Sequence, residues 1–177
     1  MIIYFLRHAS AGQKKANAKQ DDKRPLDEQG IEQCQFVGAG LAAADVQIDV
    51  MISSPLKRAT QTAVLVANEI GYEGDLKLEA ALKPGASFDA FREMLRKYAK
   101  HDAVMVVGHN PSISEFCSLL LTNGIDNQAI EMKKAGIARL EYGGKKNAVL
   151  NWHLTPRLVR SLQTSITSKS FPKTSRK

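Results

Sequence analysis

Three apolar runs along this chain stop abruptly at cationic or imidazole residues. Ile2-Ile3-Tyr4-Phe5-Leu6 ends at Arg7-His8, and Val104-Met105-Val106-Val107-Gly108 ends at His109-Asn110-Pro111. Between them, Val50-Met51-Ile52 passes through Ser53-Ser54-Pro55-Leu56-Lys57 to Arg58. Short apolar runs bounded by Gly or Pro read as buried strands of a parallel sheet, and such sheets bind ligands at the carboxyl ends of their strands. Two histidines and two arginines are therefore expected to meet at one edge of one sheet.

The segments between the runs carry helical spacing. Residues 9 to 26 are polar and read as a loop ending at Arg24-Pro25-Leu26. Asp27 is placed to cap a helix in which Ile31, Cys34, Val37, Gly38 and Leu41 share a face through about residue 44. Gly38 and Gly40 inside it read as close-packing positions rather than a nucleotide loop. Pro55 introduces a second helix with Ala59, Ala63, Val66 and Ile70 on one face, stopped by Gly71. Asp75 to Leu82 reads as a short strand or extended segment. Ser87 caps a helix with Phe88, Phe91, Met94, Leu95 and Tyr98, and another helix is predicted from Ser112 to about Leu121. In the last third the period becomes two: residues 136–142 and 148–154 alternate around Gly143-Gly144. The predicted fold class is α/β, a three-layer sandwich with a mainly parallel central sheet, an antiparallel edge strand and helices on both faces.

Composition narrows this picture. At 177 residues the chain can bury a sizeable core without disulfides or a structural metal. Cys34 and Cys117 are far apart with no metal-ligand spacing, so they read as buried hydrophobes in a reduced compartment. No secretory leader pattern opens the chain, and no apolar stretch approaches the roughly 20 residues of a membrane span. A cytoplasmic protein with no membrane partner is expected.

The formal net charge of +7 is unevenly placed. Residues 1 to 141 carry 17 Lys and Arg against 18 Asp and Glu, whereas residues 142 to 177 carry 8 basic residues and no acid. Residues 1–160 are expected to form the folded domain and residues 161–177, rich in Ser, Thr and Lys, a basic disordered tail. Nucleic acid is not an expected partner, because the basic excess lies in that tail without an aromatic-basic motif.

The four residues at the strand ends suggest chemistry on an oxyanion. Arginine stays charged and grips phosphate through a planar fork, so Arg7 and Arg58 point to a phosphoryl group. A neutral imidazole among those cations is a competent nucleophile toward phosphorus, with its other ring nitrogen held by a carbonyl. His109, if protonated, would stabilise the equatorial oxygens, and the helix N-terminus at Pro111-Ser112 points near the same place. No cofactor or metal is called for. Arg24, on the lysine-rich loop, is expected to reach the phosphate, while Lys14, Lys15 and Lys19 read as solvated or as steering an acidic partner. His101 and His153 lack such company, and neither Ser53 nor Ser54 lies in a nucleophile turn.

Leu6-Arg7-His8-Ala9 resembles the Arg-His-Gly signature of the histidine phosphatase, or phosphoglycerate mutase-like, superfamily. Ser54-Pro55-Leu56-Lys57-Arg58-Ala59-x-x-Thr62 and Val107-Gly108-His109-Asn110-Pro111 resemble its second and third motifs. The resemblance implies a transiently phosphorylated His8 in a phosphate pocket of Arg7, Arg58 and His109. The short length, Arg24-Pro25-Leu26-x-x-x-Gly30 and Trp152-His153-Leu154-Thr155-Pro156 further resemble the SixA branch, whose members remove phosphate from phosphohistidine on signalling proteins. The implied partners are such a phosphoprotein, and phosphate or its mimics in the pocket.

Two positions depart from the family pattern. Ala9 stands where glycine is usual. The glutamate that protonates an alkoxide leaving group has no clear counterpart beside Leu82, and Glu79 is the nearest carboxylate. Arg24, Asn110 and Glu79 are the expected substrate-binding residues, with Glu79 the candidate acid. Without an acid an alkoxide leaves poorly, whereas imidazole leaves readily. Phosphohistidine is therefore the expected substrate, with a small-metabolite phosphomonoesterase or a non-catalytic phosphate-binding module as the alternatives.

Overall fold

A computed structural model of the chain describes residues 1–125, 128–144 and 147–168. Its strands are β1 (Ile2–Arg7), β2 (Val50–Ser53), β3 (Leu76–Leu78), β4 (Ala103–Gly108), β5 (Ile137–Glu141) and β6 (Val149–Leu154). Its helices are α1 (Ala18–Asp22), α2 (Glu28–Ala43), α3 (Lys57–Glu69), α4 (Phe88–Lys97), α5 (Ser112–Leu121) and α6 (Pro156–Ser168), with a 3-10 turn at Ala80–Leu82. One six-stranded sheet runs in the order β3-β2-β4-β1-β5-β6. β3, β2, β4 and β1 are parallel neighbours. β5 runs antiparallel to both β1 and β6. The edge strand β6 thus pairs antiparallel with β5, as expected of the terminal pair of strands.

Alternation along the central strands builds two cores. Ile3 and Phe5 of β1 face a layer containing Phe91, Met94, Phe116 and Cys117 of α4 and α5. Tyr4 and Leu6 face Cys34, Val37 and Leu41 of α2 and Ala59, Ala63 and Val66 of α3. Burial on both faces explains why these strands read as continuous apolar runs.

The helix ends follow the sequence chemistry. The Asp27 carboxylate accepts from Gly30 N–H at 2.8 Å, and Ser87 Oγ accepts from Ala90 N–H at 3.2 Å, each capping a helix start. Gly71 adopts φ +68°, the left-handed conformation that stops α3 without a Cβ penalty. In α2, Gly38 abuts Glu69 of α3, and Gly40 abuts Val159 of α6. Residues 9 to 26 contain the short α1, capped by Asn17, inside the expected loop.

α6 differs from the sequence expectation. It takes in residues 161–168, which composition assigned to a tail, because Val159 is buried against Gly40 and the Gln163 amide donates to the Phe36 carbonyl at 3.2 Å. Serines and threonines obscured a face set by tertiary packing. The rest of the expected tail, residues 169–177, lies outside the described residues. Among the described residues no helix is long and apolar enough to cross a membrane.

Gly30 sits where α2 meets the backbone that follows His8, and a Cβ there would lie 2.0 Å from the Ser10 carbonyl oxygen. Gly30→Ala is expected to lower stability by about 1–3 kcal/mol through forced displacement of that backbone, read as a lower urea midpoint with an unchanged slope.

Candidate active site

Parallel pairing sets β1 and β4 side by side with Arg7 opposite Gly108, so the next residue of each strand leaves the sheet at the same level. Those residues are His8 and His109. Their ring centroids are 4.8 Å apart and the rings are tilted by 53°. The His8 backbone N–H donates to the Gly108 carbonyl at 2.9 Å and continues the ladder past the strand end. Ser54, just beyond β2, meets the Val107 carbonyl at 2.9 Å in the same way.

His8 is held by a local contact. Its Nδ1 lies 2.7 Å from the Ala9 carbonyl, so Nδ1 carries the proton and Nε2 has its lone pair free. No hydrogen bond to Nε2 is present among the described residues. Thr62 Oγ1 donates to the Arg58 carbonyl at 2.8 Å and accepts from Ala9 N–H at 3.1 Å, joining the loop after β1 to the first turn of α3. Ala9 is fully buried in this junction.

His109 Nε2 lies 2.9 Å from Ser54 Oγ, while its Nδ1 is buried without a partner among the described residues. Burial is the main force on both rings. It pushes the His8 pKa from 6.5 down to about 3, outweighing the Ala9 carbonyl contact, with Arg58, Arg7 and Arg24 adding to the depression. It pushes His109 down to about 2, with His8 and the same three arginines behind it. Both imidazoles are therefore neutral in the free site, and His109 acts there as a neutral hydrogen-bonding group rather than the cation entertained from sequence.

The arginines are fixed by backbone carbonyls as much as by carboxylates. Arg7 Nη1 donates to Met132 O at 2.8 Å, where the Asn110 side-chain Nδ2 also donates at 3.0 Å. Ser114 Oγ closes this circuit by donating to Asn110 Oδ1 at 2.8 Å and accepting from Met132 N–H at 2.9 Å. Arg58 is 5% exposed and donates to the Asp21 carbonyl at 2.9 Å, with the Asp21 carboxylate 3.4 Å away. Arg24 Nε donates to Asp21 Oδ1 at 2.8 Å and its Nη1 to Ala11 and Gly12 carbonyls. The Lys15 N–H, aided by Arg24 and Arg58 and opposed only by burial, holds the Asp21 carboxyl below its usual range.

His8, Arg24, Arg58, His109 and Asn110 line one cleft of about 550 Å³, and Arg7 adjoins His8. Glu79 does not join them. Its carboxylate accepts from Tyr98 Oη at 3.2 Å and lies 3.5 Å from Lys97 Nζ, turned toward α4. Asn110 has both amide atoms engaged and so braces the Arg7 anchor. Sequence reading passed over Asp21, which ties both cleft-lining arginines together, and the Met132 carbonyl. The Asp21-x-x-Arg24 spacing at the end of a short helix could have indicated the first; a backbone acceptor leaves no trace in residue identity. Ser54, within the second motif, adds a contact with His109 that residue type alone does not indicate. Among the described residues no group of three or more His, Cys, Asp or Glu is placed to hold a metal.

Three of the four buried side-chain nitrogens that lack a partner among the described residues belong to this cluster: Arg7 Nε, Arg58 Nε and His109 Nδ1. The two arginine Nε–H groups are buried donors left unpaired, unusual enough to mark a place for a ligand acceptor, here an oxyanion.

The family model for the histidine phosphatase superfamily (branch 1) matches residues 3–83, and an uncharacterized Picosynechococcus protein is 33% identical over 82% of this chain and 88% of its own. The chain belongs to the histidine phosphatase superfamily. That membership makes it a phosphatase by class. The phosphohistidine phosphatase SixA of Escherichia coli is 22% identical over 88% of this chain and 94% of its own. In fold the chain is similar to a SixA structure complexed with tungstate, with a TM-score of 0.79 and 21% identity over 89% of this chain and 98% of that one. A mycobacterial glucosyl-3-phosphoglycerate phosphatase shares the superfamily fold with a TM-score of 0.67 and 17% identity, over 85% of this chain and 96% of that one.

Two outcomes follow from the electrostatics. Because His8 and His109 are neutral when folded but bind protons near pH 6.5 when unfolded, unfolding takes up protons below that pH. Stability is expected to fall as pH drops from about 6.5 toward 3, and inorganic phosphate should raise both imidazole pKa values in an NMR titration. Asp21→Ala removes the carboxylate shared by Arg24 and Arg58. It is expected to lower stability by about 2 kcal/mol, with phosphate recovering more thermal stability in the variant than in the parent, as melting curves would show.

Proposed function

We propose that this protein is a metal-independent phosphohistidine phosphatase acting on a phosphorylated protein, through a phospho-His8 intermediate. The observation that carries the reading is the set of buried, unpartnered nitrogens on Arg7, Arg58 and His109 around an imidazole whose Nε2 is free. In the first step His8 Nε2 attacks phosphorus, a new N–P bond forms, and the substrate's N–P bond breaks. With its distal nitrogen protonated, the substrate ring leaves as neutral imidazole. Arg7 and Arg58 take the equatorial oxygens, and His109 is positioned to share them. Water then attacks phospho-His8, and inorganic phosphate and neutral His8 result.

The position of Glu79 supports this choice of leaving group. With that carboxylate directed to Tyr98 and Lys97, it supplies no acid to an alkoxide, whereas imidazole needs none from the enzyme. One observation favours a second reading, hydrolysis of a small phosphate ester. Asp22 lines the cleft and is exposed, so it is the carboxylate available to protonate an alkoxide there.

The test is phosphate release with chelator present, from a phosphohistidine peptide and from a panel of phosphomonoesters. Preferential turnover of phosphohistidine is expected, with a loss of about 10³-fold or more in His8→Ala and no trapped phosphoenzyme. Preferential ester turnover that collapses in Asp22→Asn would replace this reading with the second. Phosphate binding without turnover of either would leave a binding module.

A further inference from the structure

We infer that Lys14, Lys15 and Lys83 form a docking rim for an acidic protein segment, so that the substrate carries carboxylates beside its phosphoryl group. This rests on the phosphoprotein reading and deepens it by naming the chemistry of the partner. The three lysines are exposed, come from two separate stretches of chain, and line the same cleft as His8 and Arg58. None of their ammonium groups makes a hydrogen bond or ion pair among the described residues. By contrast, Lys77, Lys97 and Lys133 each meet a carboxylate.

Charge balance makes the rim informative. Three arginines and three lysines stand at or beside the cleft with two carboxylates, Asp21 and Asp22. Both imidazoles are neutral, so the net charge there is four positive, of which a dianionic phosphoryl group meets two. The remaining surplus is local, since residues 1 to 141 as a whole carry 17 basic against 18 acidic residues. Clustering cations on a neutral body raises their mutual repulsion, and an anionic partner relieves it.

The backbone presenting two of the lysines is also preorganised. Lys15 N–H donates to Asp21 Oδ1 at 2.9 Å, and Asn17 caps α1 by accepting from Gln20 N–H at 3.2 Å. Asp21 thereby fixes the rim and the arginines to one another. A rim that merely steered any phosphate would speed all anionic substrates alike. A docking rim discriminates among substrates with the same phosphoryl group but different neighbours.

The experiment compares two phosphohistidine peptides of equal length, one flanked by Asp and Glu and the other by Asn and Gln. Wild type and the triple variant Lys14→Glu, Lys15→Glu, Lys83→Glu are assayed across a salt series, after melting curves establish that the variant folds. In wild type at low salt, kcat/KM for the acidic peptide is expected to exceed that for the neutral one by about tenfold. The ratio should approach one in roughly 0.5 M salt and fall to one or below in the variant. A wild-type ratio near one, or a ratio the variant leaves unchanged, overturns the rim. Calorimetric binding of phosphoserine peptides with the same two flanks reads the charge preference without turnover. A tenfold Kd ratio there with no phosphohistidine hydrolysis keeps the rim and removes the substrate reading. Hydrolysis with both ratios near one does the reverse.

Discussion

The in-register parallel pairing of β1 with β4 is the constraint on which the site depends. It places Arg7 level with Gly108, so the next residues, His8 and His109, turn out of the sheet as neighbours. A slip of one residue would exchange every inward and outward side chain on strands buried from both sides, so the two apolar layers enforce this register. The geometry of the site is thus protected by the whole core rather than by contacts at the site alone. β2 extends the arrangement by bringing Ser54 to His109 and starting α3, on which Arg58 lies in the first turn.

That dependence explains what the sequence made legible. Apolar runs ending in Arg7-His8 and Gly108-His109 carry their own registers, because strand ends in a parallel sheet are both structural boundaries and ligand positions. The Asp27 and Ser87 caps and the Gly71 stop were equally readable, since each is a local rule about backbone donors or φ. Less local features were not. α6 extends past residue 160 because Val159 packs against Gly40 on a helix more than a hundred residues earlier, while its own Ser and Thr content argues for a loop. Within the site, imidazole and guanidinium positions could be read from motifs. Their anchors could not, because Met132 contributes a carbonyl oxygen and Asp21 acts through a carbonyl as well as its carboxylate.

The arrangement holds an unresolved electrostatic tension. Arg58 and Arg7 are partly desolvated, and burial lowers both guanidinium pKa values toward the neutral form. Asp21 compensates Arg58 and Arg24 in part. It does not reach the Arg7 anchor, which rests on the uncharged Met132 carbonyl and the distant influence of Glu131. The cores on either face supply the stability that allows these cations to remain under-paired. A phosphoryl oxyanion completes what the fold leaves incomplete, so binding free energy and local stability are coupled in the same groups.

The same field bears on how the proposed nucleophile, His8, and its electrostatic partners coexist at one pH. Before an anion binds, burial and arginine charge keep both imidazoles unprotonated, which leaves the His8 lone pair available at any ordinary pH. A dianion entering the cleft offsets part of the nearby positive charge and lifts both rings toward protonation. Under the proposed mechanism His8 commits its lone pair to phosphorus instead. His109 has no such commitment, and its buried Nδ1 can then serve as a donor whose strength grows as charge accumulates on the phosphoryl oxygens. Neutrality before binding and donation after it are thus one consequence of placing two imidazoles of different connectivity in a single cationic field.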